Sequence, residues 1–495
     1  MRKIIRAIRL GLPLILWTAA AFCFDLKDQV LEFKLENGMK FLLVPRPSAP
    51  VVSTVIRVRA GGVDEKIGTT GIAHMFEHMA FKGTRHIGTS NFRAEKPILD
   101  EIERLGGEMA AEQAKPSPDT ERITEIRKAI AGLQQKGSQY VVKDELWDTY
   151  LRHGAEDLNA STGKDTTNYY VSLPANRMEL WALMESQRMQ EPVFREFYPE
   201  RDVVTEERRM RTETSPDGKL YELLISTAFQ AHPQRLPILG WMSDIQSLTI
   251  ADAGKFHNVY YTPNNSVCAI VGDFDVEEIK GLIHRYFAPI RRGPEPPPIV
   301  TVEPEQEGER RVYLNFDAGP QVLIAYHKPT MPNPDADVLD LLSGILTEGR
   351  TARLYRRLVR DDRIASNVYS FEAPGSRYDN VLVFGAVPIQ PHTPAEIESA
   401  IYAEFDRLAS EGPTEREMEK MRNQRRMEFL EALESNMGLA NQLSWFECVT
   451  GDWRFVLEYL ERIEAINPED VRNAAKKYLT PSNRTVATLV TEKPE

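Results

Sequence analysis

FHNVYYTPNNSVCAIVGD at residues 256–273 and AAKKYLTPSNRTVATLVTE at 474–492 read as one unit written twice. Each runs from a helix end through a Thr-Pro turn carrying Asn into an apolar strand, with the proline stopping the helical pattern. Thr262 of the first copy answers to Thr480 of the second. A second pair lies near the start of each half: PVVSTVIRVRAG from Pro50 and PQVLIAYHKP from Pro320. The offsets differ by 52 residues, so the first half carries an insertion of that length. The repeat predicts an α+β protein made of two homologous α/β halves, each an antiparallel-rich sheet packed with helices.

The insertion falls at about 91–150, where the chain is highly charged and helix-friendly with a break at KPSPD (115–119). It reads as a helical hairpin projecting from the first domain; an ordinary pair of surface helices fits the same pattern. Residues 289–311, PIRRGPEPPPIVTVEPEQEGERR, are rich in Pro and Glu without periodicity and read as a linker. The predicted domains are therefore 24–288 and 312–495. Within the first, LEFKLENGMKFLLV forms a hairpin about Asn37-Gly38, Val51–Gly62 a further strand, and Thr70–Phe81 a helix.

Composition narrows the class. The 495 residues carry 61 Lys plus Arg against 73 Asp plus Glu, a net charge of −12, which argues against nucleic acid as partner. There is no apolar run of 18 or more residues, so no stable membrane span is expected. Three cysteines build no disulfide framework, and Cys268 reads as a packed free thiol. The start differs from the rest: Arg2, Lys3, Arg6 and Arg9 precede an apolar stretch to Phe24 that includes Ala19-Ala20-Ala21. This pattern reads as a secretory signal peptide over 1–23, placing the mature protein in the periplasm or another extracytoplasmic space.

Chemistry enters with HMFEH: His74, Glu77 and His78. Positions i and i+4 of a helix share a face, so both imidazoles project together, and two neutral imidazoles suit Zn2+. Glu77 lies on that face, within reach of a metal-activated water; H-x-x-E-H is the inverted form of the commoner zinc helix. The neighbours in GIAHMFEHMAF are mostly apolar, and two histidines with a carboxylate are costly to bury without a partner. A catalytic zinc needs a third protein ligand, and FYPERDVVTEERRMRTE (197–213) offers helical carboxylates, with Glu200 and Glu207 two turns apart.

HMFEHMAFKGT, LNASTGKDTTNYY (158–170) and ERDVVTEE (200–207) together resemble the pitrilysin/insulinase/mitochondrial processing peptidase family of zinc peptidases, and the resemblance spans essentially the whole mature chain. It implies Glu207 as third zinc ligand, Glu200 as a carboxylate supporting that geometry, Glu77 as general base, and Asn159, Ala160, Ser161 and Thr162 as an edge strand that substrate joins. The stretch from His78 to Glu207 is longer than is usual in the family, and the inserted hairpin accounts for the excess. Active members also use an Arg and a Tyr seven residues apart in a second half or partner. Here those positions fall on Val359 and Ser366 in RLYRRLVRDDRIASNVYS (353–370), with Arg360 and Tyr369 as a pair at shifted spacing.

The resemblance thus implies a zinc endopeptidase acting on short or unfolded peptides in an enclosed chamber. It would be the catalytic subunit of a heterodimer whose homologous partner supplies the Arg/Tyr pair, or else a homodimer. A non-catalytic scaffold subunit is the alternative.

Overall fold

The computed structural model of the protein describes residues 26–491, so the predicted signal segment lies outside the described residues. One sheet holds β1 (Leu31–Lys34), β2 (Lys40–Pro45), β3 (Val51–Val58), β4 (Glu156–Thr162), β5 (Thr167–Pro174) and β6 (Ser266–Gly272), ordered β1-β2-β6-β3-β5-β4. The other holds β7 (Arg310–Phe316), β8 (Gln321–Lys328), β9 (Ala365–Ala373), β10 (Asn380–Pro388) and β11 (Arg484–Thr491), ordered β7-β11-β8-β10-β9. Without β1 the two sheets share one topology: β2 and β7 run parallel to β6 and β11, and every other pair is antiparallel. The protein is α+β with two homologous halves. The repeat holds to the residue. From Ser266 at the start of β6 to Arg484 at the start of β11 is the same step as from Thr262 to Thr480. From Val51 of β3 to Gln321 of β8 is the same step as from Pro50 to Pro320.

Register also locates the insertion. Val52 pairs with Leu173, whereas its counterpart Val322 pairs with Ala386 across a far shorter stretch of chain. The extra length of the first half therefore lies between β3 and β5.

Eight of the helices position the site and join the halves: α1 (Ile72–Met79), α2 (Phe92–Gln113), α3 (Thr120–Gly137), α4 (Phe197–Arg208), α5 (Pro216–Ala228), α6 (Pro334–Thr347), α7 (Glu415–Glu434) and α8 (Asn436–Thr450). Within the stretch 91–150 expected as the insertion stand the α2–α3 pair, capped by the Asn91 and Asp119 side chains, and a short helix over Glu145–Arg152. The pair's outer faces are charged. Its inner face, with Ile102, Leu105 and Met109 from α2 and Ile123, Ile126 and Ile130 from α3, shares one apolar cluster with Ile72 and Phe76 of α1. Gly106 allows the close seat, because a Cβ there would overlap the Tyr198 hydroxyl.

The halves exchange a helix. On α5, Leu220, Leu224, Ile225 and Ala228 pack against Leu323, Ala325, Ala487 and Leu489 of the second sheet. On α8, Leu439, Ala440, Leu443 and Phe446 pack against Leu42, Val44, Val55 and Val267 of the first. Both faces of each central strand are therefore covered, and β3 and β6 read as unbroken buried runs rather than alternating ones. Each large side chain so buried contributes roughly 1.5–3 kcal/mol, which binds the halves into one body.

Residues 289–309 hold neither helix nor strand, while Arg310 and Arg311, read above as linker, already belong to β7. The linker is tied down where it passes, since the Glu303 carboxylate accepts hydrogen bonds from the backbone N–H groups of Gln230, Ala231 and His232. Cys268 and Cys448 are both buried free thiols.

Candidate active site

The helix predicted over 70–81 spans Ile72–Met79; it starts later because Gly71 turns left-handed at φ +87°, and it ends at Met79 with Ala80 as its C-cap. A side chain at Gly71 would put a Cβ 2.5 Å from the Leu239 carbonyl oxygen, so glycine is required there. Capping comes from Glu65, a buried carboxylate that accepts from the N–H groups of Gly71 and Ala73, both at 2.8 Å. Burial raises Glu65 to about 8, against the two backbone hydrogen bonds and the charge of Lys164, while the positive end of the helix dipole favours the carboxylate form there. Ile72, Ala73, Met75, Phe76 and Met79 fill the core below, which presses α1 against the sheet and leaves His74, Glu77 and His78 on the remaining face.

The structure brings His74, His78 and Glu207 together. His74 Nε2 and His78 Nε2 each lie 3.6 Å from Glu207 Oε2, and one ligand atom from each residue fits within 4.8 Å of the others. Donors about 2.0–2.1 Å from one tetrahedral ion stand about 3.3 Å from one another, so this trio fits zinc with little movement. Glu200 stays off the trio, with Oε1 2.8 Å from His78 Nδ1 and Oε2 2.6 Å from Lys82 Nζ. It orients the ring and fixes which nitrogen faces Glu207. His74 Nδ1 has no hydrogen-bond partner among the described residues.

Electrostatics divide the roles. Burial and the neighbouring His78 push His74 down to about 4, keeping it neutral and ready to ligate. Burial works the same way on His78, but hydrogen bonds to Glu200 and Glu207 overcome it and raise His78 to about 9. The imidazole beside Glu207, with His74 and Arg211 near, holds that carboxylate below its usual range despite burial. Burial dominates at Glu77 and raises it, against a hydrogen bond from Thr162 and the charge of His78. A carboxyl held above its usual range beside a metal site is a better proton acceptor than an ordinary surface one.

Asn159–Thr162 form the end of β4, which pairs only with β5 and is the outer strand of its sheet. Asn159 and Ser161 are exposed, Ala160 is buried, and Thr162 reaches Glu77. Among the described residues this outer edge runs past the general-base candidate with no further strand beside it, and the Ala160 N–H is met by Asn159 Oδ1 at 2.9 Å.

Val359 lies in a π-helical turn over Tyr355–Asp361, packed against the second half's core, and Ser366 is exposed on β9, donating to the Val387 carbonyl. Arg360 is exposed and paired with Asp361, while the Tyr369 hydroxyl accepts from Gln321 Nε2 at 2.7 Å. Motif reading does not single out Lys82, Arg211 or Glu65. Lys82 and Arg211 follow His78 and Glu207 by one helical turn, a spacing that could have flagged them. Glu65 precedes α1 by a loop that matches no capping-box spacing.

Comparison with known proteins agrees with this geometry. The family model described as Insulinase (Peptidase family M16) matches residues 40–119, which include His74, Glu77 and His78, and that described as Peptidase M16 inactive domain matches 247–425. The zinc protease PqqE of Helicobacter pylori is 28% identical over 467 residues, covering 92% of this chain and 91% of that protein. A probable mitochondrial-processing peptidase subunit beta of Arabidopsis thaliana is 23% identical over 456 residues, covering 90% and 75%. The crystal structure of a protease from Helicobacter pylori superposes with a TM-score of 0.78 at 26% identity, covering 94% of this chain and 99% of that one. The chain belongs to peptidase family M16.

Proposed function

We propose that this chain is a zinc-dependent endopeptidase. The observation that carries the reading is the convergence of His74, His78 and Glu207 beside Glu77 at the free edge of β4. His74, His78 and Glu207 would hold Zn2+, which supplies the Lewis acidity that activates a water and polarises the scissile carbonyl. Glu200 and Lys82 keep the His78 ring in place. Glu77 takes a proton from the attacking water and returns it to the leaving amine, so the carboxyl ends the cycle as it began. Asn159–Thr162 align an extended peptide by backbone hydrogen bonds, which selects short or unfolded chains over folded ones.

The reading extends to an extracytoplasmic location, supported by the signal-like residues 1–23, and to a homologous partner. Val359 and Ser366 stand where an Arg and a Tyr are expected, which supports a second subunit supplying that pair to an enclosed chamber. The test is hydrolysis of a quenched fluorescent peptide by the zinc-loaded mature chain, with Glu77→Gln as the blank. The variant should retain zinc and lose about 10²–10⁴-fold in turnover, the scale of a general base. Turnover by the chain alone would sink the need for a partner. Equal turnover by the variant would sink the role of Glu77.

A further inference from the structure

The α2–α3 hairpin reaches the candidate active site through one buried ion pair that the chemistry described above does not use. Glu95, in the first turn of α2, and Arg195, two residues ahead of α4, are each 1% exposed. The guanidinium donates from Nε to Glu95 Oε1 at 3.0 Å and from Nη2 to Glu95 Oε2 at 3.1 Å. Its other N–H groups go to backbone carbonyls of the loop that leaves α1. Nη1 meets those of Lys82 at 2.8 Å and Ile87 at 3.1 Å, and Nη2 meets that of Thr84 at 2.8 Å. All five donors of the fork are thereby used, which the three donors of a lysine ammonium could not reproduce.

The loop is shaped around that guanidinium. Gly83 and Gly88 take left-handed φ values of +93° and +81°. A Cβ at Gly83 would overlap the Ile87 carbonyl oxygen, and one at Gly88 would stand 3.1 Å from Arg195 Nη1. The Gly83 carbonyl accepts from the Val193 N–H at 3.1 Å, and Thr84 bridges to Pro192, so the loop also pairs with the lead-in to α4. Lys82 opens the loop, and its ammonium lies 2.6 Å from Glu200 Oε2, while Glu200 Oε1 lies 2.8 Å from His78 Nδ1. Contacts therefore run unbroken from α2 to a candidate metal ligand. A buried ion pair adds little net stability over an apolar pair of like volume, so its use here lies in the geometry it imposes.

We propose that Glu95 and Arg195 are positioning residues for the metal site, and that α2 supplies the carboxylate this requires. The inference rests on the zinc-site part of the reading above and deepens it. Both residues act through others. Arg195 sets the loop after α1 against the lead-in to α4, and so fixes the helix bearing His74 and His78 relative to the helix bearing Glu200 and Glu207. Glu95 neutralises the buried guanidinium and, by gripping it at two nitrogens, sets the plane in which the three carbonyls are met.

The test uses the full chain with Glu95→Gln, Arg195→Lys and, as control, Ile123→Ala. The control opens the hairpin core beside the 114–119 turn, at the far end of α2 from Glu95. Zn2+ affinity is read by competition with a chromophoric chelator, ligand geometry by visible absorption of the Co2+-loaded protein, and folding by urea unfolding in chelator. Glu95→Gln keeps the shape and removes the charge, whereas Arg195→Lys keeps the ion pair and removes the fork. Both should weaken Zn2+ binding about tenfold, the low end for losing an outer partner of a metal ligand, and both should shift the Co2+ bands. Ile123→Ala should lower the urea midpoint and leave affinity and spectrum at wild-type values. Where Glu95→Gln fails to fold, Arg195→Lys decides alone, because its ion pair survives. Affinity and spectrum unmoved in the folded variants, or lowered as far by Ile123→Ala, overturns the positioning role and leaves the zinc reading intact. Wild-type protein that takes up neither Zn2+ nor Co2+ overturns the zinc reading, and this inference with it.

Discussion

The two halves fill the equivalent place in the fold with different chemistry. The step along the chain that carries β6 onto β11 also carries α4 onto the first part of α7, and it places Arg425 where the first half has Glu207. Arg425 is buried and donates to Asp340 at 2.6 and 2.9 Å, to Glu348 at 2.6 and 2.9 Å, and to Glu428 at 2.8 Å. Glu348 stands as far along the chain from β8 as His78 does from β3. In the second half, then, acidic groups converge on a guanidinium carried by the chain. In the first, two imidazoles and a carboxylate converge with a geometry suited to a metal ion. The half with a built-in cation completes its electrostatics by folding, whereas the other is left able to bind.

That contrast breaks first at Arg425. Arg425→Met removes a buried guanidinium whose partners Asp340, Glu348 and Glu428 are 34%, 30% and 50% exposed, so water takes up part of the loss and the cost falls to about 3 kcal/mol, the low end for unpairing a buried charge. Urea unfolding should show that loss equally with and without zinc. If zinc restored the variant, the second half would hold a metal site after all and the contrast would fail.

Next in size is Glu207→Gln. Losing the charged ligand should weaken zinc binding at least about 100-fold, more than the loss of an outer partner, while metal-free stability stays close to wild type. Competition with a chromophoric chelator measures the first and urea unfolding in chelator the second. Full zinc affinity in this variant would remove Glu207 from the ligand set. Glu200→Gln sharpens the same comparison: the His78 ring loses its charged partner, and zinc affinity should fall about 10–100-fold. An unchanged affinity would reduce Glu200 to a salt-bridge partner of Lys82.

What can be read from the chain follows the same division. The two offsets locate the duplicated strands to the residue because a repeat is a property of the sequence itself, independent of packing. H-x-x-E-H is legible because i,i+4 spacing is local. Glu207, far beyond His78 in the chain, is brought close only by tertiary packing of α4 on α1, and it enters through family resemblance. The exchange of α5 and α8 is not legible, since an amphipathic helix shows that it packs on a sheet but not on which sheet. Burial of Glu65 under the α1 start is hidden because its capping bonds span a loop rather than one turn.

The helices bearing Glu207 and Arg425 also differ at their starts, and this yields the smallest effect. At the head of α7, Thr414 and Glu417 form a capping box, and Glu417 pairs with two Arg353 nitrogens at 2.8 Å. The equivalent place on α4 has Pro199, preceded by Glu196 at φ +58° with no side-chain cap. Burial alone would raise Glu417, but Arg353 and Thr414 outweigh it and bring it down to about 2. A carboxylate whose folded value lies below its unfolded one supplies stability above the unfolded value near 4.5, and that stability drains away as pH falls toward about 2. Glu417→Gln keeps the capping geometry and removes the charge, so at pH 7 it should cost about 1 kcal/mol, the upper range for a partly exposed pair. At pH 3 the gap between variant and wild type should narrow, because wild-type Glu417 is then losing its charge advantage. Urea midpoints at the two pH values measure this. A gap that stayed constant would mean that Arg353 and Glu417 contribute through packing alone, and that the better-capped start of α7 owes nothing to charge.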